Sequence, residues 1–329
     1  MSLRVVAGTA NRPLASAVAA ALSCGVTACE VEWFPDGELR PALANVRGGD
    51  VYLVEPTGPP VSEHVVELLL LLDACRRGGA DRVTAVVPYF GYARQDRRGR
   101  AGEAVGARVV ADALVAAGAQ RLVVVDPHTT ALEAMCSVPV EMLTAVPVLA
   151  RAVSFELAED TVVVAPDLGA VKLAERYAAL LRRPVAVVRK SRVSGDAVRA
   201  EELVGDVEGR AAVIVDDMIS TGATIEAAVR VLLGHGANGD IAVAATHGLL
   251  VGAAPERLAA AAIQRLLVTD SLPRGEWPAL RVEVHSIAGL LADAIGRLHR
   301  NEDLTDLLTP SDAIVGTIGP GGAGDIEGA

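Results

Sequence analysis

Short β-branched runs that stop at a turn residue and give way to a helix-spaced pattern recur along the whole chain, and that alternation leaves few folds open. Leu3 to Ala7 reads as a strand and Pro13 to Ser23 as a helix; Val51 to Glu55 and Ser62 to Arg77 repeat the pair. Val83 to Val87 is a strand ending at Pro88, Glu103 to Ala117 a helix, and Leu122 to Asp126 a further strand. In the second half, strands are expected at Thr161 to Ala165, Val185 to Arg189, Ala211 to Val215, Ile241 to Thr246 and Leu266 to Thr269. Helices are expected at Ala170 to Leu181 and Thr224 to His235. Apolar strands joined through helices form parallel sheets covered on both faces. The expected fold class is α/β, with two doubly wound, mostly parallel-sheet domains. A length of 329 residues suits two domains rather than one core. The boundary is placed near Thr144 to Pro147, giving domains over 1–145 and 146–309. The glycine-rich segment 310–329 has no apolar face and is predicted to be a disordered tail.

Composition narrows the partners. A net charge of −11 argues against a general affinity for nucleic acid or for an anionic membrane surface. A site for anionic substrates on such a chain has to be a local basic cluster or a metal site. Cys24, Cys29, Cys75 and Cys136 form no CxxC pair and no zinc-ligand spacing, which fits a reduced cytoplasm. The opening MSLRVVAGTANRP reaches a turn too soon for a signal peptide, and the apolar run around Val65 to Leu72 is far too short to span a bilayer. Lysine occurs only at Lys172 and Lys190, so each position draws notice; Lys172 is expected to be a solvated helix residue.

In open parallel sheets, ligands bind beyond the carboxyl ends of the strands. The segment AAVIVDDMISTGATIEAA, residues 211–228, places Asp216 and Asp217 at such an end, followed by a small-residue loop that opens a helix. Backbone N–H groups in a glycine-containing loop and at a helix N-terminus cradle an anion, and the Thr221 and Thr224 hydroxyls can add donors. Two carboxylates beside that cradle suit vicinal sugar hydroxyls, so the residues point to a sugar phosphate. A bland reading is an acidic strand end with Thr224 near an N-cap. The segment resembles the phosphoribosyl-pyrophosphate motif shared by type I phosphoribosyltransferases and ribose-phosphate pyrophosphokinases. The resemblance implies that Asp216 and Asp217 hold ribose, and that Ser220, Thr221, Gly222, Ala223 and Thr224 hold the 5-phosphate. An acidic residue is common in that family where Ser220 stands.

Three further segments resemble the pyrophosphokinases alone: FPDGE (34–38), NVRGGDVYLVEPT (45–57) and VVPYFGYARQDRR (86–98). Arginines after a strand can fork onto phosphate oxygens, while Gln95 can read a base or ribose edge. ATP binding is accordingly expected at Arg94, Gln95 and Arg97, and at Phe34, Asp36, Gly37 and Glu38. The family likeness implies that this last loop reaches the ATP site of a neighbouring subunit; taken blandly, FPDGE is a type I turn. VVVDPHTT (123–130) and VVVAPDLGA (162–170) set His128 and Asp167 just past two strands. One imidazole and one carboxylate can ligate a divalent ion already held by phosphate oxygens, and the family assigns both positions to Mg²⁺. VAVVRKSRVSGD (185–196) resembles the catalytic flexible loop of the family, with Lys190 and Arg192 stabilising the transition state and Arg192 also reaching the sugar phosphate. No GxxxxGK[ST] or kinase-type glycine loop is present.

The likeness runs over residues 3–309 and implies domains of the type I phosphoribosyltransferase kind. It also implies transfer of the β,γ-pyrophosphate of ATP to C1 of ribose 5-phosphate by a Mg²⁺-dependent homo-oligomer built on dimers, with a hexamer among the sizes left open. Two rivals stand beside it. A phosphoribosyltransferase would leave the first 140 or so residues without a role, and a catalytically silent homologue would have no need of the full residue set.

Overall fold

The structure is a computed structural model describing residues 1–192 and 199–308, without the side chains of 190–201. The expected tail over 310–329 lies outside the described residues. In chain order the first half comprises β1 (Ser2–Ala7), α1 (Arg12–Ala21), β2 (Val26–Thr27), β3 (Cys29–Trp33), β4 (Leu39–Leu43), β5 (Gly49–Val54), α2 (Val61–Arg77) and β6 (Arg82–Val87). It continues through α3 (Gly106–Ala117), β7 (Arg121–Val125), α4 (Leu132–Met135) and β8 (Val140–Leu143). The second half runs α5 (Val146–Ser154), β9 (Val162–Ala165), α6 (Val171–Leu181), β10 (Val185–Arg192), β11 (Arg199–Val204), β12 (Ala212–Ile219) and α7 (Ala223–Gly234). It closes with β13 (Ile241–Gly248), α8 (Ala254–Ala260), β14 (Arg265–Thr269), β15 (Glu283–His285) and α9 (Ala288–Arg300).

These elements build two α/β layers. The first sheet has the order β2-β1-β5-β6-β7-β8 and is parallel throughout. The second has the order β11-β10-β9-β12-β13-β14-β15, with only β11 antiparallel. Apolar runs were required because both faces are covered. Val5 and Val6 are each fully buried yet belong to opposite faces, as the two-residue period of a strand dictates. On one face of the first sheet, Leu68, Leu71 and Leu114 of α2 and α3 pack against it; on the other, Leu14 and Val18 of α1 do so. The second sheet is covered by α7 and α8 on one side and by α5 and α6 on the other.

The chain departs from a simple division at 145/146. Helix α5 packs on the second sheet, but α9 crosses back to the first, where Leu291, Ile295 and Leu298 join the core beside α1. The reason is coverage: short α1 leaves part of that face bare, and the amphipathic α9 fills it. A polar clamp reinforces the return. Asp50 of β5 is fully buried and accepts hydrogen bonds from Arg82, from His299 of α9 (2.7 Å) and from the Tyr52 hydroxyl (3.2 Å). Burial alone would raise the Asp50 carboxyl, yet the bonds from Arg82 and His299 outweigh it and hold the group below the usual carboxylate range.

The carboxyl ends of the two sheets face each other. Asp126, just past β7, accepts from the Ala145 N–H (2.9 Å) and from the Thr246 hydroxyl of β13 (2.8 Å). His247 of β13 meets the Val125 carbonyl through Nε2 at 3.0 Å and the Ser271 hydroxyl through Nδ1 at 2.8 Å. Burial pushes its pKa down, so a neutral ring donating from Nε2 and accepting at Nδ1 satisfies both partners. No helix among the described residues is long and apolar enough to cross a membrane.

Candidate active site

A cleft of about 680 Å³ opens where the two sets of strand ends meet. On the second sheet it sits between β9 and β12, where the strand order reverses: β10 and β11 lie to one side of β9, and β12 to β15 lie to the other. Such a reversal splays the flanking loops apart and leaves a crevice at the carboxyl end. The cleft wall brings together Arg94, Arg97, His128, Asp167, Asp216, Asp217 and the run Ser220, Thr221, Gly222, Ala223 and Thr224. These positions come from four different strand ends, β6, β7, β9 and β12.

The acid pair lies within β12 rather than beyond it. The strand continues past the expected end at Val215 because Asp216 pairs with Ala245, and Met218 with His247, in β13. After Ile219 the chain turns through Gly222, whose φ of +74° is left-handed, and α7 starts at Ala223. Thr224 is therefore inside the helix and not its N-cap. Gly222 holds that position and provides no side-chain cap. The first N–H groups of a helix have no intrahelical acceptor, so α7 presents donors at the cleft.

The two aspartates are electrostatically unlike. Burial, followed by the neighbouring charge of Asp217, pushes the Asp216 carboxyl well above its ordinary range. Asp217 is also burdened by burial, but His128 donates to its Oδ2 from Nδ1 at 2.6 Å and holds it below that range. The same hydrogen bond raises His128. One carboxyl thus favours its neutral form and the other its charged form. Asp167 accepts at Oδ1 from the Gly169 N–H (2.8 Å) and the Ala170 N–H (3.3 Å), which fixes the turn leading into α6.

No cluster of three or more His, Cys, Asp or Glu suited to a metal occurs among the described residues. His128, past β7 of the first sheet, and Asp167, past β9 of the second, nevertheless both line the cleft and give a nitrogen and an oxygen donor. Two protein donors fit Mg²⁺, which keeps water and substrate phosphates in the rest of its shell.

Several expected residues lie elsewhere. Phe34, Asp36, Gly37 and Glu38 are outside the cleft wall, at the tip of an antiparallel hairpin formed by β3 and β4. Gly37 closes that tip by donating to the Phe34 carbonyl, and Arg40 stacks 5.2 Å from the Phe34 ring centroid. Gln95 is not in the wall either, and its amide approaches Gly106 at the start of α3, where an added Cβ would lie 2.7 Å from Oε1. Lys190 and Arg192 are carried by β10, opposite Glu201 and Arg199 in register, and their side chains lie outside the described residues. Conversely, Asp96, Asp126, Lys172 and Arg176 line the cleft without having been expected there. Lys172 and Arg176, one helical turn apart directly after Asp167, share a face of α6, but that spacing alone does not say that the face borders a cleft.

Family models match the chain twice: the N-terminal domain of ribose phosphate pyrophosphokinase over residues 3–118, and the phosphoribosyl synthetase-associated domain over residues 193–309. A ribose-phosphate pyrophosphokinase from Caldanaerobacter subterraneus subsp. tengcongensis is 39% identical across 94% of this chain and 98% of its own. One from Aquifex aeolicus is 38% identical across 93% and 99%, respectively. Among solved structures, the phosphoribosylpyrophosphate synthetase from Mycobacterium smegmatis superposes with a TM-score of 0.85 at 38% identity, covering 92% of this chain and all of that one.

Proposed function

The chain belongs to the ribose-phosphate pyrophosphokinase family, and from that premise we propose how its cleft moves the β,γ-pyrophosphate of ATP onto the C1 hydroxyl of ribose 5-phosphate. The observation that carries the assignment is the join at the end of β12: an acid pair, a left-handed glycine and an uncapped helix start share one wall of the cleft. The 5-phosphate accepts from the N–H groups and hydroxyls of Ser220 to Thr224. Ribose hydroxyls meet Asp216 and Asp217. A neutral Asp216 can donate as well as accept, whereas the charged Asp217 only accepts. ATP lies toward Arg94 and Arg97, which fork onto phosphate oxygens, with Gln95 turning from α3 to reach the adenosine. Phe34, Asp36, Gly37 and Glu38 serve the adenine in the site of a second subunit, so the enzyme works as a homo-oligomer.

Bound at His128 and Asp167, Mg²⁺ supplies neutralisation of charge on the triphosphate. The ribose C1 oxygen forms a bond to the β-phosphorus, the bond from that phosphorus to the α,β-bridging oxygen breaks, and its electron pair leaves with AMP. The C1 hydroxyl proton passes to solvent. Lys190 and Arg192, with Arg97, stabilise the charge spread over the transferring group, in the manner general to phosphoryl-type transfer. Four free thiols suit a reducing compartment, and we place the enzyme in the cytoplasm.

The test is direct: incubation with ATP, ribose 5-phosphate and Mg²⁺ should release AMP in step with 5-phosphoribosyl 1-pyrophosphate. Release of ADP, or no AMP, overturns the assignment. Lys190→Ala should lower kcat by orders of magnitude, as loss of a group that stabilises developing charge does, and turnover near the wild-type value removes Lys190 from its role.

A further inference from the structure

The sugar-phosphate loop is braced from behind by a short helix that the reaction scheme leaves unused. Arg257 of α8 donates through Nη1 to the Thr221 carbonyl. Its Nε lies 3.2 Å from Oε2 of Glu226, in the first turn of α7. The adjacent Leu258 is buried under Gly222, where an added Cβ would come within 3.0 Å of its Cγ. Upstream, the Leu250 and Val251 N–H groups donate to the Ile219 and Ser220 carbonyls, each at 3.0 Å. Three successive loop carbonyls are thus tied to a segment that takes no part in the cleft wall.

That arrangement has a stereochemical consequence. Across a planar trans peptide, the C=O and the following N–H point in opposite directions. Carbonyls held away from the cleft leave the N–H groups of Ser220, Thr221 and Gly222 facing it, ready to donate to an anion. The Arg257 charge also polarises the 221–222 peptide and strengthens its N–H as a donor. It further offsets Glu226, whose carboxylate stands in the turn of α7 that must accept a phosphate at its end.

We infer that Arg257 is a positioning residue for the sugar phosphate: it touches neither substrate, but it sets the direction and the charge of the loop that does. The inference rests on the assignment of Ser220 to Thr224 to the 5-phosphate, so the experiment includes a variant of that loop. For Arg257→Gln, loss of one charge-assisted hydrogen bond predicts a rise of about ten-fold in KM for ribose 5-phosphate, with kcat and KM for ATP within about two-fold and no change in Tm. Arg257→Lys keeps the charge but cannot span Thr221 and Glu226 together, and should give an intermediate rise of about three-fold in the same constant. If the glutamine variant does not fold, that selective rise in the lysine variant decides the matter. Thr224→Val tests the loop itself. If Thr224→Val raises KM for ribose 5-phosphate while the Arg257 variants leave it unchanged, the inference about Arg257 fails alone. If none of the variants moves it, the loop assignment fails as well. Equal changes in both KM values and in kcat would make Arg257 merely structural and overturn the inference.

Discussion

At the level of single residues, two carboxyl pairs show how surroundings divide labour between identical groups. Glu55, at the end of β5, is wholly buried; its nearest donor is the Ala10 N–H at 3.3 Å, while Glu67 takes the Thr9 N–H at 2.7 Å. Burial, and then the Glu67 charge, push the Glu55 carboxyl up to about 9 from an ordinary value of 4.5. Folded protein therefore holds a proton that the unfolded chain releases. The stability from this group is complete below pH 4.5 and is lost as pH rises through about 9. Urea midpoints of wild type should fall across that range, at up to about 1.4 kcal/mol per pH unit, and Glu55→Gln should flatten the fall. Parallel pH curves for the two proteins would show that Glu55 is not neutral. The Asp216 and Asp217 pair makes a different forecast. Asp217 keeps its charge against His128, whereas Asp216 already favours its neutral form. Asp217→Asn should lower kcat/KM for ribose 5-phosphate by roughly 10- to 100-fold, and Asp216→Asn by less. The reverse order would refute the split.

Among the elements, the β12–α7 join is where backbone geometry and ligand chemistry coincide. Gly222→Ala forces a left-handed residue that costs about 1–2 kcal/mol and presses a methyl group on Leu258; a lower Tm together with weaker ribose 5-phosphate binding is expected. Much of this join could be read from the chain, because an apolar run, an acid pair and a glycine turn each leave a local mark. The same holds for the strands at Val83–Val87 and Leu122–Asp126, whose continuous apolar character comes from cover on both faces. Of the β3–β4 hairpin only the turn at FPDGE left one: Glu30, Glu32 and Arg40 interrupt the strands and Pro41 lies in one of them, so they show neither an apolar run nor a clean buried face. It is organised by lying along α2, a contact remote from its own sequence. Lys172 is exposed, as its place on a helix suggested, but the solvent it meets is that of the cleft. A helix residue's exposure to solvent or to a cleft depends on what the opposite sheet presents, and α6 does not encode that.

Taken whole, the molecule is tied together by α9 and by the facing strand ends. Removing the chain from Ile287 onward would strip Leu291, Ile295 and Leu298 from the first core, and such a truncation should not give a cooperative thermal transition in calorimetry. Asp50→Ala, which leaves Arg82 and His299 without their fully buried partner, should cost about 3–5 kcal/mol in denaturant titrations; a change within about 0.5 kcal/mol would mean that the clamp is idle. The hairpin reading can be judged at the same scale. Phe34→Ala and Lys190→Ala should each be nearly inactive alone, yet co-expressed subunits should regain activity, since a composite site can form free of both lesions; no recovery argues for sites within one subunit. The homecoming of α9 also bears on how the chain is made. Until α9 has been translated, the strands of the first sheet have long emerged but one of their apolar faces has only α1 to cover it. The second sheet already has every strand it needs. The half translated later can therefore finish folding first, and a chain broken off before α9 is spoiled in the half that was made first.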